Sequence, residues 1–299
     1  MRDGDLIDRT ALALDADTLA RLAERDPDAH ARLERVELFR IAYASGGLKV
    51  TGYVVRPKQP PGPLPCVIYN RGGYGSSGVI SARQAAVQLA AIADRGYIVA
   101  ASQYRGNAGS EGLDEFGGAD LDDVLALVPL LEREPGADPS RIGLWGWSRG
   151  GLMAYLALAR TDRFAAAVVL SGVTDLGDYL QRRPEMEQRV FAKLVPDYRA
   201  DREAAILRRS PIRWPEKLCK TTPILMLHGG ADWRVHPSQA LRMATALYEA
   251  RHPFRFAFFE GADHGLAEVS AEAMRMSYDW LDRYLRDRLP WPSLEPHGL

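Results

Sequence analysis

Cysteine is scarce in this sequence, and its scarcity excludes two kinds of stabilised protein. The 299 residues include two cysteines, Cys66 and Cys219. Neither lies in a C-x-x-C or other metal-type spacing, so we expect neither a disulfide framework nor a zinc site. Both flank apolar runs, and we expect both to be buried free thiols.

An excess of charge of either sign is also missing. The 38 lysines and arginines are balanced by 39 aspartates and glutamates, which gives a net charge of −1. A protein that binds nucleic acid usually shows a basic excess or stripe, and attraction to an anionic membrane surface requires clustered basic charge. We therefore expect neither nucleic acid nor membrane as a partner.

Long apolar runs are the third absence. No stretch of the sequence approaches the ~20 apolar residues that span a bilayer. A signal peptide needs an apolar segment near the N-terminus, but the first ten residues carry five charged side chains. The sequence thus predicts a soluble, cytoplasmic protein.

What the sequence does contain is a regular alternation of strand-like and helix-like segments. Apolar residues make up 46%, which is enough for a large core. Strands are predicted at 66–70, 97–103, 142–147, 165–171, 224–228 and 255–260. Helices are predicted at 79–95, 119–134, 149–160, 238–250 and 266–288. This pattern is typical of an α/β fold, a mostly parallel twisted sheet with helices on both faces, and we expect one domain over residues 1–299.

The N-terminal part departs from this alternation. Residues 8–35 have apolar positions at a helical period, so we expect a helical arm over residues 1–35. Residues 36–43 and 48–55 are predicted strands, and Ser45-Gly46-Gly47 between them is typical of a turn. They predict an antiparallel hairpin at one edge of the sheet.

A second departure lies between residues 173 and 221. This segment is charged and helical, and it is too long for an ordinary connection, so we interpret it as an insertion over the active-site edge of the sheet. Its eight arginines are interleaved with acidic residues. They form either a solvated helical face or a pocket for an acidic substrate.

The residues Gly146-Trp147-Ser148-Arg149-Gly150 match the motif G-x-S-x-G. The motif follows an apolar strand and precedes an apolar helix, which is the context of the nucleophilic serine in the α/β-hydrolase fold. A sharp turn there exposes the hydroxyl group and crowds its neighbours, so small residues are required. We therefore predict Ser148 as a nucleophile.

A serine hydroxyl needs a base to take its proton, and in this fold the partners follow in the order serine, acid, histidine. Of the six histidines, His264 lies in a small-residue loop directly after the strand at 255–260, and we predict it as the base. Asp232 follows the strand at 224–228 and is the predicted acid. Asp263 is the alternative, but adjacent residues on an extended loop tend to point apart.

The oxyanion hole is predicted from two loops. One donor is the N–H group of Arg149, which follows the nucleophile, and the second comes from the loop after the strand at 66–70. We favour Gly73 for the second donor, with Tyr74 as the alternative. This chemistry requires no cofactor.

Two other motifs suggest different sites, and we discount both. Residues 73–78 spell G-x-G-x-x-G, but the next strand runs into Gln103 instead of ending in an acidic residue that would bind a ribose. His228, Asp232 and His236 are spaced by four like metal ligands on a helix. Glycines and a proline in that segment argue against a helix, so we expect no metal.

Together the motifs resemble the catalytic domain of the prolyl oligopeptidase family of serine peptidases. The resemblance covers roughly residues 45–288 and rests on four segments: Gly146 to Gly151, Ser210-Pro211-Ile212, His228-Gly229-x-x-Asp232-x-Arg234-Val235 and Asp263-His264-Gly265. It implies the same triad of Ser148, Asp232 and His264, and a substrate carbonyl bound by Arg234. Many members carry a β-propeller ahead of this domain, and the residues before it are too few for one, so gating by a propeller is not expected.

The expected activity is hydrolysis of an amide, peptide or ester bond through an acyl-enzyme. Arg71 stands where relatives often have histidine, so the resemblance supports acyl transfer more strongly than peptide cleavage. The alternatives are a small-ester carboxylesterase, a dienelactone-hydrolase-like enzyme and, more remotely, a non-catalytic binding module. Trp147 and Trp233 flank the nucleophile and the acid, and they either line an apolar substrate pocket or pack in the core.

Overall fold

The computed structural model describes residues 1–298, apart from the side chain of Arg25. Leu299, the last residue of the predicted domain, lies outside the described residues. The chain divides into two compact units. The first contains Met1–Asp114 and Gly118–Ile142, and the second contains Glu115–Gly117 and the chain from Gly143 onward. The expectation of one domain stays a prediction.

The first unit contains five complete strands in the order β1-β2-β3-β5-β4. They are β1 (Leu6–Ala11), β2 (Val36–Ser45), β3 (Leu48–Pro57), β4 (Leu64–Asn70) and β5 (Ile98–Ser102). Pairs that include β1, β2 or β3 are antiparallel, whereas β4 and β5 are parallel. The predicted hairpin is β2–β3, and its turn lies at Gly46 and Gly47, which both have positive φ.

Strand β1 corrects the expectation of helix from residue 8 onward. Residues 8–11 pair with β2, and the first helix begins only at Ala16, where the side chain of Asp15 accepts a hydrogen bond from Thr18 N at 2.7 Å. The strand is mostly exposed, so it shows no burial pattern that the sequence could reveal. Its backbone pairing and the ion pair of Arg9 with buried Glu134 hold it in place.

The second unit contains three complete parallel strands in the order β7-β8-β9. Strand β6 (Ala137–Trp147) begins in the first unit and ends in the second. It is followed by β7 (Phe164–Leu170), β8 (Ile224–Gly229) and β9 (Phe254–Phe259). Residues Ala167 and Ile224 are paired, as are Leu227 and Ala257, so the carboxyl ends of these strands lie side by side. The predicted strands from 36–43 to 255–260 are thus confirmed within two residues of their ends, with one exception: β6 begins at Ala137, five residues before the predicted start, in a polar stretch of the sequence.

Twelve α-helices connect these strands in the described part of the chain. Those of the first unit are α1 (Ala16–Arg25), α2 (Ala29–Arg35), α3 (Ala82–Gln84), α4 (Ala90–Ala93), α5 (Asp120–Leu125) and α6 (Leu127–Glu132). Those of the second unit are α7 (Arg149–Leu158), α8 (Leu176–Arg182), α9 (Ala192–Leu194), α10 (Arg202–Arg208), α11 (Ser238–Glu249) and α12 (Ser270–Leu281). Helices α8 to α10 occupy the segment that the sequence predicted as an insertion. Within residues 1–298, no helix combines the length and apolarity needed to cross a bilayer.

The two cysteines differ in burial. Cys66 lies on β4 and is fully buried, and burial raises the pKa of its thiol to about 12. Cys219 is only partly buried, and its Sγ lies 3.0 Å from the hydroxyl oxygen of Thr221. The expectation of two buried thiols is therefore confirmed for Cys66 and wrong for Cys219, since Cys219 precedes an exposed turn.

His252 is a buried histidine just before β9 in the second unit. Its Nε2 lies 3.0 Å from the carbonyl oxygen of Thr222, and its side chain is almost fully enclosed. Burial disfavours the imidazolium form and lowers the pKa of His252 to about 4. The unfolded chain therefore binds a proton at this residue below pH ~6.5, whereas the folded chain does not until about pH 4.

We predict that this histidine makes the fold sensitive to acid. The free energy of unfolding should fall between pH 6.5 and pH 4, and His252→Gln, which cannot titrate, should lack this contribution. From 1.36 kcal/mol per pKa unit, the loss between pH 7.5 and pH 4.5 should be roughly 2 kcal/mol larger in the wild type than in the variant. Urea unfolding at both pH values measures it, and equal losses in the two proteins would contradict the prediction.

Candidate active site

Ser148 lies in a sharp turn between strand β6 and helix α7. Its backbone angles are φ 58° and ψ −119°, outside the regions that non-glycine residues usually adopt. Its N–H group donates to the carbonyl oxygen of Leu170 on β7 at 2.8 Å, and its carbonyl oxygen accepts from Gly151 N at 2.9 Å. Such strain costs on the order of 1–3 kcal/mol, and it is a feature of functional turns.

The glycines of the motif are required by close backbone approach. A Cβ atom on Gly146 would lie 2.1 Å from the carbonyl oxygen of Gly150. A Cβ atom on Gly151 would lie 2.7 Å from the Cα atom of Gly172. Neither position can hold a larger residue unless the backbone moves, so the small-residue pattern around Ser148 has a steric cause.

A chain of hydrogen bonds joins the three predicted triad residues, all of which lie in the second unit. His264 Nε2 is 2.9 Å from Ser148 Oγ, and His264 Nδ1 is 2.7 Å from Asp232 Oδ2. Because a carboxylate only accepts hydrogen bonds, the proton of a neutral His264 belongs on Nδ1. The lone pair of Nε2 then faces the serine hydroxyl group.

The three residues follow the carboxyl ends of three different strands. Ser148 follows β6 directly, Asp232 lies three residues beyond the end of β8, and His264 lies five residues beyond the end of β9. Since β7, β8 and β9 are parallel, the loops that follow them begin at the same edge. The predicted order of serine, acid and histidine along the chain therefore corresponds to this spatial grouping.

The carboxylate of Asp232 is buried and accepts hydrogen bonds on both oxygens. Oδ1 accepts from the backbone N–H groups of Arg234 at 2.8 Å and Val235 at 2.9 Å. Oδ2 faces His264 and also lies 3.3 Å from Nε2 of His228. Burial would raise the pKa of Asp232, but the hydrogen bonds from His228, His264 and Val235 outweigh it and hold the pKa well below its usual range. The carboxyl group is therefore ionised at neutral pH.

Asp263, the alternative acid, has a different set of partners. Its Oδ1 accepts hydrogen bonds from the backbone N–H groups of Gly265 at 2.7 Å and Ala267 at 3.2 Å. The residue is exposed, and its carboxylate stabilises the turn that follows β9. The Nδ1–H group of His264 donates its hydrogen bond to Asp232.

The predicted substrate-binding residues occupy two kinds of environment. Trp147 is half-buried, its ring Nε1–H donates to the carbonyl oxygen of His264 at 3.1 Å, and the two rings are 5.5 Å apart. It therefore packs against His264. Trp233 is 67% exposed, with the guanidinium group of Arg234 5.2 Å from its ring centre.

An arginine that the sequence did not single out joins Trp233. The guanidinium group of Arg183, directly after α8, lies 5.3 Å from the centre of the Trp233 ring, and its Nη1 donates to the hydroxyl group of Tyr179 at 2.9 Å. One of the eight arginines of the 173–221 segment thus contacts the loop that carries Asp232. No signal in the sequence distinguishes it from the other seven.

The predicted oxyanion donors lie in different units. Arg149 is the first residue of α7, at the positive end of the helix dipole, and its guanidinium group packs 4.7 Å from the centre of the Phe116 ring. In the first unit, Gly73 follows β4 with φ 69°, and a Cβ atom there would lie 2.7 Å from Gly78 Cα. Tyr74 precedes a 3₁₀ turn. Their roles as donors stay predictions.

The residues discounted as metal ligands do not lie on one helix. Strand β8 ends at Gly229 and α11 begins at Ser238. His236 is exposed, and its Nδ1 lies 2.9 Å from the hydroxyl oxygen of Ser238. His228 is buried and faces Asp232 across the turn, an arrangement that the sequence analysis did not predict.

Comparison with known proteins gives a match to one family and to several relatives. The model of the prolyl oligopeptidase family matches residues 83–288. The chain is 28% identical to the uncharacterized peptidase YtmA of Bacillus subtilis over 232 residues, which cover 77% of this chain and 87% of that protein. The next two curated relatives are longer, and the chain spans 39% and 34% of their lengths.

Solved structures resemble this chain over most of its length. A puromycin-hydrolyzing peptidase of Mycobacterium tuberculosis is 26% identical, with a TM-score of 0.68 over 85% of this chain and 39% of that one. A putative dienelactone hydrolase of Klebsiella pneumoniae is 20% identical, with a TM-score of 0.63 over 83% of this chain and 99% of that one. The predicted α/β-hydrolase fold is confirmed.

The hydrogen bonds of the two aspartates lead to a contrast between two variants. Asp232→Asn should lower kcat for an activated ester by about 10³- to 10⁴-fold, because an amide in place of the carboxylate favours the wrong tautomer of His264. Asp263→Asn should cause a far smaller loss, since the Asp263 carboxylate accepts hydrogen bonds from backbone N–H groups of its own turn. Steady-state kinetics of both variants test this prediction. A larger loss in Asp263→Asn than in Asp232→Asn would mean that the acid is Asp263.

Proposed function

We propose that this chain, a serine hydrolase that belongs to the prolyl oligopeptidase family, cleaves amide bonds of short peptidic substrates through an acyl-enzyme formed on Ser148. The resemblance in the sequence motifs is confirmed at the level of the family. The observation that carries the proposal is the hydrogen-bond chain from Asp232 Oδ2 through His264 to Ser148 Oγ, with distances of 2.7 and 2.9 Å.

In the proposed first step, Ser148 Oγ attacks the carbonyl carbon of the substrate while His264 Nε2 takes the hydroxyl proton. The imidazolium ion that forms is stabilised by the ionised, buried Asp232, which also keeps its Nδ1–H group in place. Proton transfer at a hydrogen-bond distance of 2.9 Å requires little movement of either residue.

The tetrahedral intermediate carries its negative charge on the former carbonyl oxygen. We assign one stabilising donor to the N–H group of Arg149, at the N-terminal end of the ten-residue helix α7. A second donor from Gly73 or Tyr74 stays a prediction from the sequence. His264 then gives its proton to the leaving amine, and water reverses the sequence on the acyl-enzyme to release the acid.

The preference for amide over ester substrates rests on the relatives. YtmA and the puromycin-hydrolyzing enzyme are both named peptidases, and their identities with this chain exceed that of the dienelactone hydrolase. The likeness to the dienelactone hydrolase extends to the fold alone. An esterase of small substrates is therefore the alternative outcome of the substrate test, and a non-catalytic module is the alternative outcome of the labelling test.

The nucleophile can be tested without knowledge of the substrate. A fluorophosphonate probe should label the wild type at Ser148 only, and Ser148→Ala should abolish labelling and lower turnover by roughly 10⁴-fold or more. Mass spectrometry of the labelled peptide identifies the site. Ser171→Ala serves as a control, because Ser171 is a buried serine that directly follows strand β7, as Ser148 directly follows β6. Label on another serine, or none in the wild type, would refute the proposal.

Arg234 is the residue through which the peptidic character of the substrate can be tested. We propose that its exposed guanidinium group binds a carbonyl oxygen one residue from the scissile bond. Because hydrogen bonds to charged groups are worth roughly 1.5–3 kcal/mol, Arg234→Ala should lower kcat/KM for a dipeptide amide by about 10- to 100-fold. Hydrolysis of p-nitrophenyl acetate, which offers no second carbonyl group, should hardly change.

A matched control for this variant is Arg182→Ala. Arg182 is an arginine of the neighbouring segment, and its guanidinium group pairs with Asp178 at 3.2 Å. Arg182→Ala should leave kcat/KM unchanged for both substrates. If Arg234→Ala lowered kcat/KM equally for both substrates, Arg234 would only support the Asp232 loop. That result would remove this argument for a peptidase.

A further inference from the structure

We propose that His228 is a positioning residue for the reaction, because its Nε2–H group shares Oδ2 of Asp232 with the Nδ1–H group of His264. The proposal rests on the proposed roles of Ser148, Asp232 and His264. In it, His228 determines both the orientation of the catalytic carboxylate and the amount of negative charge that faces the base.

The contacts of His228 assign its tautomer. Its Nε2 lies 2.9 Å from the carbonyl oxygen of Val235, which can only accept a hydrogen bond, so Nε2 carries a proton. The same nitrogen lies 3.3 Å from Asp232 Oδ2. One N–H group therefore faces two acceptors on the loop from 232 to 235, and it ties the carboxylate to the carbonyl group at the other end of that loop.

Burial makes this contact effective. His228 is 2% exposed and Asp232 is also 2% exposed, so water does not compete strongly for either group. The carboxylate accepts hydrogen bonds from the backbone N–H groups of Arg234 and Val235 on Oδ1 and from His264 Nδ1 on Oδ2, and His228 Nε2 lies 3.3 Å from Oδ2 as a further contact. Burial raises the pKa of Asp232, and the contact with His228 lowers it more than any other single contact does.

The N–H groups of His228 and His264 both stabilise the negative charge on Oδ2 of Asp232. The groups that face the Asp232 carboxylate are His228 from β8, His264 from the loop after β9, and two backbone N–H groups from its own loop. The only neighbouring guanidinium group on that loop, that of Arg234, packs over the Trp233 ring. If the donor on β8 is removed, more negative charge faces His264, and the imidazolium form of His264 is favoured.

Three substitutions separate this role from a general packing role. His228→Gln places an amide N–H group close to the position of Nε2, so it should retain the donor. His228→Asn has a shorter side chain whose amide cannot reach that position, although its polarity is similar. His228→Leu removes the donor altogether. Because glutamine and asparagine differ only in reach, the comparison remains valid even if the leucine variant fails to fold.

The rate of labelling by the fluorophosphonate probe, measured from pH 4.5 to 9, is the readout. His228→Asn and His228→Leu should label about 10-fold more slowly at the optimum, because a hydrogen bond to a charged group is lost. The acid side of their pH–rate profile should move upward by about 0.5–1 pH unit. His228→Gln should restore most of the rate and the wild-type profile.

Two controls make the result specific. His252→Leu removes another buried histidine with a similar hydrogen bond to a backbone carbonyl oxygen, but without contact to Asp232, so it should lower stability and leave the pH profile unchanged. In an Asp232→Asn background, His228→Asn should have little further effect. These results would support the proposal.

Other outcomes overturn it. The proposal fails if His228→Asn slows labelling without moving the pH profile, if His228→Gln behaves like His228→Asn, or if His252→Leu moves the profile equally. Disappearance of the acid limb in His228→Gln would show that His228 itself titrates as the base. Absence of labelling in the wild type would instead refute the proposed function, so the two failures are distinguishable.

Discussion

The ionised, buried carboxylate of Asp232 is the constraint on which the site depends. A buried charge is costly unless hydrogen bonds compensate it, and here two backbone N–H groups and two imidazole rings do so. This compensation requires the loop from 232 to 235 to turn tightly around the carboxylate. It also requires the loop after β9 to carry His264 to Oδ2. The position of His264 relative to Ser148 follows from these two requirements.

The strained backbone of Ser148 is a second constraint on the site. A serine at φ 58° is unfavourable by itself, and the surrounding strand and helix hold it there through the hydrogen bonds to Leu170 and Gly151. The fully buried helix α7 provides the packing that offsets this cost. Ser148 and Asp232 are thus both hydrogen-bonded to His264, one at each ring nitrogen.

Much of this could be predicted because the signals are local or depend on the order of the strands. Strands β7 and β8 consist almost entirely of apolar residues, and the turn at Ser148 is marked by glycines at Gly146, Gly150 and Gly151. Asp232 and His264 follow strands whose carboxyl ends must share one edge. Strand β1 could not be predicted, because it is exposed and is held by backbone pairing and by an ion pair with Glu134, 125 residues away.

The contacts of Arg183 and His228 were missed for a related reason. Each depends on a side chain reaching a residue that the fold brings close, and spacing along the chain does not encode that reach. His228 and Asp232 are four residues apart, a spacing that resembles metal ligands on a helix and that the sequence analysis discounted as a metal site. The structure has a strand followed by a turn there, and the same spacing brings an imidazole N–H group to a carboxylate.

The way in which the loop after β8 holds its carboxylate has a consequence for divergence among related enzymes. Oδ1 of Asp232 is bound by the main chain of residues 234 and 235, and a main-chain N–H group is supplied by every amino acid except proline. The side chains of Trp233 and Arg234 are exposed and take no part in it. Substitutions at these positions, and at Arg183 beside them, can therefore change the surface next to Asp232 while the hydrogen bonds that hold its Oδ1 stay in place.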